Sequence, residues 1–105
     1  MSWKKLGRIY NPALSEVEWM SRHSMLPTVD NVRDDIFKVY CNGRDEKGRS
    51  LIGYILFDLN NPGEILKISK EPILSFGKLG HFDDNGVTPS SIVTVDGKKY
   101  LYYVG

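Results

Sequence analysis

PTVDNVRDDIFKVYCNG (residues 27–43) and PSSIVTVDGKKYLYYVG (residues 89–105) are one pattern met twice. Shifting the chain by 62 positions sets Pro27 on Pro89, Asp34 on Asp96, Tyr40 on Tyr102 and Gly43 on Gly105. Each block runs proline, apolar strand, Asp turn, aromatic strand, glycine. The four identities fall on strand and turn punctuation in the same order, which is what a structural repeat leaves in a sequence. In the second block, Asp96-Gly97 separates Ser91-Ile92-Val93-Thr94-Val95 from Tyr100-Leu101-Tyr102-Tyr103-Val104. Asp-Gly between two such runs is a strong hairpin signal, because both residues accept positive φ at low cost.

Two further strands lie between the blocks. Leu51 to Phe57 is an unbroken β-rich run, and Ile65 to Ile68 is a short one after the breaker Asn60-Asn61-Pro62-Gly63. Gly43 to Arg49 is glycine-rich and charged, as a hairpin connection requires. Helical period is nearly absent; only Ser15, with Glu18 at the capping-box position, predicts a turn or two through Met20. The chain therefore reads as all-β, with strands over about 24–32, 35–43, 50–59 and 64–68, then the start of a second unit over about 89–105. A repeating four-stranded antiparallel unit is the pattern of a β-propeller blade. Two hairpins of an ordinary sandwich are the simpler alternative. A propeller closes with ~4–8 blades, and residues 1–105 supply one blade and half of another. The expectation is an incomplete propeller, either the N-terminal part of a longer protein or one completed by other chains. Self-association through the open blade edge at Tyr100 to Val104 is one such route.

Composition narrows the classes of function. Fourteen Lys and Arg stand against thirteen Asp and Glu in 105 residues. No basic stripe for a nucleic-acid backbone follows from that balance. Cys41 is the single cysteine, so neither an intrachain disulfide nor a cysteine zinc site is expected. The longest apolar run, Tyr54 to Phe57, is too short to span a membrane, and no apolar stretch follows the basic N-terminus. The reading is a cytoplasmic protein with no membrane or nucleic-acid partner.

Four stretches carry a resemblance to a known group. They are Trp3-Lys4-Lys5-Leu6-Gly7-Arg8-Ile9-Tyr10, Pro27-Thr28-Val29-Asp30, Arg44-Asp45 with Gly48-Arg49-Ser50 and Ile52-Gly53, and Phe82-Asp83-Asp84-Asn85-Gly86-Val87-Thr88-Pro89-Ser90-Ser91. Together they resemble the five-bladed propeller glycosidases of glycoside hydrolase families 43, 32 and 130 and their bacterial relatives, over the first third of such a protein. The resemblance implies a glycoside hydrolase-like protein, a carbohydrate substrate and no organic cofactor. It also implies that this portion alone is inactive. A non-catalytic carbohydrate-binding or scaffold propeller is the alternative, because two family carboxylates are missing. Leu26 precedes Pro27 where family 43 has Asp, and Val87-Thr88-Pro89-Ser90 stands where family 130 has Glu-Asp-Pro-Arg.

Blade topology puts the turn between strands two and three, the link into the next blade and the entry to strand one on one rim. Arg22, His23, Arg44, Asp45, His81, Asp83 and Asp84 fall there. Glycoside hydrolysis needs two carboxyl groups across the bond, ~5–5.5 Å apart for retention or ~6.5–9.5 Å for inversion. Asp84 first, then Asp83, are the catalytic candidates, although neighbours in an extended segment point apart. One of the two is expected to serve a turn instead. His23, Arg44, Asp45 and His81 are the substrate-binding candidates, with no metal site. For Arg44-Asp45 the plainer reading is a solvated hairpin turn. Trp3 and Trp19 either stack on sugars or pack the terminal segment, and Cys41 reads as buried filler.

Overall fold

A computed structural model describes residues 2–12, 17–21 and 23–105. Ser15 and Arg22 lie outside the described residues. The strands are β1 (Ser24–Arg33), β2 (Ile36–Arg44), β3 (Ser50–Asp58), β4 (Ile65–Ile68), β5 (Thr88–Val95) and β6 (Lys98–Val104). A 3₁₀ turn, Glu18–Met20, precedes them, with Val17 at its N-cap and no side-chain capping bond.

The first sheet has the order β1-β2-β3-β4, antiparallel throughout, and the second pairs β5 with β6. Alternation fixes which face each residue serves. Val39, Cys41, Leu51 and Ile55 face one way, and the last three pack with Trp19 and Met20, both buried. Trp19 donates its indole N–H to the Ser69 carbonyl at 2.7 Å, and Met20 Sδ sits 3.9 Å from Cys41 Sγ. Trp19 and Cys41 are thus packing residues, whereas Trp3 is exposed. Gly53 and Gly43 make this possible: a Cβ on Gly53 would strike the Trp19 ring, and one on Gly43 would come 2.6 Å from Met20 Cβ.

The opposite face carries Thr28, Asp30, Tyr40 and Ile52, and the second sheet lies against it. Thr28 Oγ1 reaches the Ser90 carbonyl at 3.5 Å, and Lys99 pairs with Asp30. Thr28 and Ser90 are 62 residues apart, so equivalent positions of the two blocks touch. The hairpins also repeat: Arg33 pairs with Ile36 and Val95 with Lys98, each across a two-residue turn. Asp34 and Asp96 adopt positive φ, 43° and 49°. Gly97 follows at 76°, giving the two left-handed residues of a type I′ turn.

β4 is four residues long, and just past its end the Ser69 N–H donates to the Tyr54 carbonyl at 3.0 Å. The chain returns again to β3: Ile73 N–H donates to the Ile52 carbonyl at 2.8 Å, and Val87 N–H to that of Ser50 at 2.9 Å. The outward face of the second sheet carries Val93, Val95, Tyr100, Tyr102 and Val104, each 44–60% exposed. Tyr103 takes the other face, as alternation predicts.

Candidate functional site

One end of the two sheets gathers the candidate residues. β1 begins there, β2 ends and β3 begins, since Ser24 pairs with Gly43 and Arg44 with Ser50. A parallel bridge from Ser50 to Gly86 brings in the β4–β5 link. Ser21 joins the same end through its N–H and hydroxyl, both donated to the Arg44 carbonyl at 3.2 Å. His23, Arg44, Asp45, His81, Asp83 and Asp84 therefore do lie at a common end, while their side chains divide into two groups.

Asp45, Asp83 and Asp84 are engaged by the protein. Asp45 Oδ1 accepts the N–H groups of Lys47 (3.0 Å) and Arg49 (2.9 Å). Its Oδ2 takes Arg49 Nε and Nη2, both at 2.9 Å. Partial burial pulls the Asp45 carboxyl up. The Arg49 and Lys47 donors outweigh it and hold the carboxyl below its ordinary range. The guanidinium of Arg49 in turn covers the Phe76 ring at 4.2 Å. Asp45 thus closes its own hairpin turn, with Arg49 rather than Arg44 as partner.

Asp84 has the corresponding turn role in the next loop. Its Oδ2 accepts the Gly80 N–H at 2.8 Å, and its own N–H donates to the His81 carbonyl at 3.2 Å. Asp83, 8% exposed, accepts the Tyr103 hydroxyl on Oδ2 at 3.1 Å. That hydrogen bond, with a lesser effect of burial, raises the Tyr103 phenol above its ordinary value. The segment is a turn rather than extended chain. The two carboxylates nevertheless diverge, one toward β6 and one back into the loop, so they do not face each other across a common space.

His23, Arg44 and His81 form the second group. All are exposed. Among the described residues their side chains make no hydrogen bond or ion pair. They offer two imidazoles and one guanidinium at one rim, donors suited to hydroxyl or anionic groups. Among the described residues no group of three or more His, Cys, Asp and Glu side chains could hold a metal ion. No helix there is long and apolar enough to cross a membrane.

Three residues outside the sequence-derived set stand at this end. Asn42 is 2% exposed with its Oδ1 unpaired. Phe82 is 74% exposed and stacks on Tyr103, ring centres 5.8 Å apart. The Asn42 position reads in sequence as ordinary strand, and the Phe82–Tyr103 pair joins residues from a loop and a distant strand. Neither has a local signal.

No family model and no solved structure matches the chain. It is 46% identical, over all 105 residues, to two proteins of Mycobacterium tuberculosis, from strains CDC 1551 and H37Rv, each named only as an uncharacterized protein, and it spans 35% of the length of either.

Proposed function

We propose that the two sheets are the first blade and the opening half of the second blade of a five-bladed β-propeller. The end bearing His23, Arg44 and His81 is then its carbohydrate-recognition rim. The blade reading is supported by the equivalence of the two hairpins and by the contact between their equivalent positions Thr28 and Ser90. It also explains the outward apolar face. Tyr102 occupies the position that Tyr40 has in the first sheet, where the second sheet packs; the next blade would pack on Tyr102 in the same way.

The observation that carries the functional reading is the pairing at this rim of structured carboxylate turns with exposed, uncommitted basic side chains. Asp45 and Asp84 shape the two loops, leaving Arg44, His23 and His81 to meet a polar ligand. Sites built this way, on loops carried by a rigid scaffold, are common. The glycoside hydrolase-like reading of the longer protein rests on resemblance, and fold resemblance alone does not carry activity. Within this chain Asp83 and Asp84 are not an acid and base pair, so residues 1–105 recognise sugar without cleaving it.

The test uses saturation-transfer NMR with methyl β-D-glucopyranoside and methyl β-D-galactopyranoside, alongside turnover of the 4-nitrophenyl glycosides. Millimolar binding without release of 4-nitrophenolate is expected, and Arg44→Ala should weaken it. Absence of binding by the unaltered chain overturns the reading.

A further inference from the structure

We infer that the Asp30–Lys99 ion pair is the key that seats the second sheet on the first, and that it bars the same hairpin from docking on the equivalent face of a second copy. The inference is independent of the carbohydrate reading, and both charges lie within the joint between the two sheets. The apolar part of that joint is thin. Along β5 and β6 only Pro89 is buried, with Thr88, Ile92, Leu101 and Tyr103 half-buried. Apolar contact has no direction of its own, so a patch this small leaves the seating free to slide. The polar contacts supply the direction: Thr28 with Ser90 nearer the rim, and Asp30 with Lys99 farther from it. Charge complementarity across an interface fixes register and suppresses wrong partners.

Asp30 is reserved for this use. Its direct cross-strand neighbour is Lys38, and opposite charges so placed stabilise each other. The Lys38 ammonium instead lies 4.5 Å from the centre of the Tyr54 ring and 5.9 Å from that of Tyr40. The Asp30 carboxylate, on a side chain only 12% exposed, is left to Lys99. A carboxylate so sheltered is costly to leave unpaired, so any seating that misplaces the lysine is penalised. The pair is also particular to this joint. Tyr40 faces the second sheet, whereas its counterpart Tyr102 faces outward. Two positions along each strand from these tyrosines and their partners, the Asp30–Lys38 pair of the first sheet corresponds to Val93–Tyr100 of the second. A hairpin released from its own first sheet and exchanged onto a second copy would meet Val93 and Tyr100 there, with no carboxylate for Lys99. Specificity of this kind works by penalising the alternative.

The experiment uses residues 1–105 and urea unfolding of Asp30→Asn, Lys99→Gln and the double variant. The cycle should give a coupling of about fivefold in the unfolding equilibrium. A coupling below about twofold, the scatter of independent sites, overturns the inference. The same cycle with Lys38→Gln in place of Lys99→Gln should stay below about twofold; a coupling as large as that of Lys99 shows Asp30 serving its own sheet and overturns the inference. Sedimentation velocity reads the selection between partners. The double variant Asp30→Asn with Lys99→Gln should associate more than the unaltered chain at equal concentration, and adding Val93→Lys to it should reverse that rise. No rise in association, or a rise that Val93→Lys leaves in place, overturns the inference. Should circular dichroism show the double variant unfolded, Lys99→Gln alone carries the sedimentation reading under the same criteria.

Discussion

Gly53→Ala adds one methyl group in the middle of β3, and the structure says where it goes. The new Cβ would lie 2.7 Å from Ser69 Oγ and closer still to the Cζ2 and Cη2 atoms of Trp19. Trp19 is 3% exposed and held by its bond to the Ser69 carbonyl. The indole therefore has to move as a rigid body. Overpacking of a core costs about 1–3 kcal/mol. Losing the indole hydrogen bond adds about 1 kcal/mol. The sum, roughly 2–4 kcal/mol, is a large share of the stability of a domain this small. It corresponds to a fall in thermal midpoint of roughly 10–30 °C. Urea unfolding followed by far-UV circular dichroism measures it. The double variant Gly53→Ala with Trp19→Phe should recover part of the loss, since the smaller ring removes the clash; a double-mutant cycle isolates that coupling. A Gly53→Ala change within about 0.5 kcal/mol of the unaltered chain, or no recovery with Trp19→Phe, would refute the packing argument.

Asp45→Asn should destabilise the β2–β3 turn in a pH-dependent way. The folded carboxyl lies below its ordinary range, so its contribution is complete above the unfolded carboxyl range and vanishes as pH falls through the folded value. The difference in thermal midpoint between Asp45→Asn and the unaltered chain should therefore be largest near neutrality and shrink in acid. Cys41 should resist thiol reagents until the chain unfolds. It is 2% exposed and burial pushes its thiol pKa up, the Ser24 hydroxyl only partly offsetting this; rapid labelling without denaturant would contradict that. On the outward face of the second sheet, Val93→Lys with Tyr102→Lys should lower any concentration-dependent association without loss of folding. Sedimentation velocity reads the first, and circular dichroism the second.

The strand plan was legible because its signals are local. Alternation and turn residues bounded β1 to β4 within one or two positions, and Asp96-Gly97 located the second hairpin. Face assignment was legible too, since Tyr100 and Tyr102 necessarily oppose Tyr103. The short turn at Glu18–Met20 was anticipated, although its core contacts come from Trp19 and Met20 filling the space above two glycines. The rim was legible from topology, whereas the partners of its carboxylates were not. Asp45 beside Arg44 suggests a pair in sequence, but the hairpin curls Arg49 back onto the carboxylate. Asp83 reaches Tyr103 twenty residues later, a contact that depends on how β6 docks. The Gly80 N–H that Asp84 accepts lies four residues back in a loop and leaves no mark in the sequence. Leu26, left-handed at φ 51° just before Pro27, likewise carried no signal, because leucine has no preference for that conformation.

The lining of the first sheet by Trp19 and Met20 gives the molecule a direction. If the two sheets are successive blades, as proposed, each layer presents a receiving surface to the next, and such head-to-tail contacts either close into a ring or run on into a fibre. Here Trp19 and Met20 cover the part of the first layer's near face where Cys41, Leu51 and Ile55 lie, while Val93 and Tyr102 on the far side of the second layer are exposed. Stacking one molecule upon another in the same sense would have to dislodge a tryptophan that is 3% exposed and held by the Ser69 carbonyl.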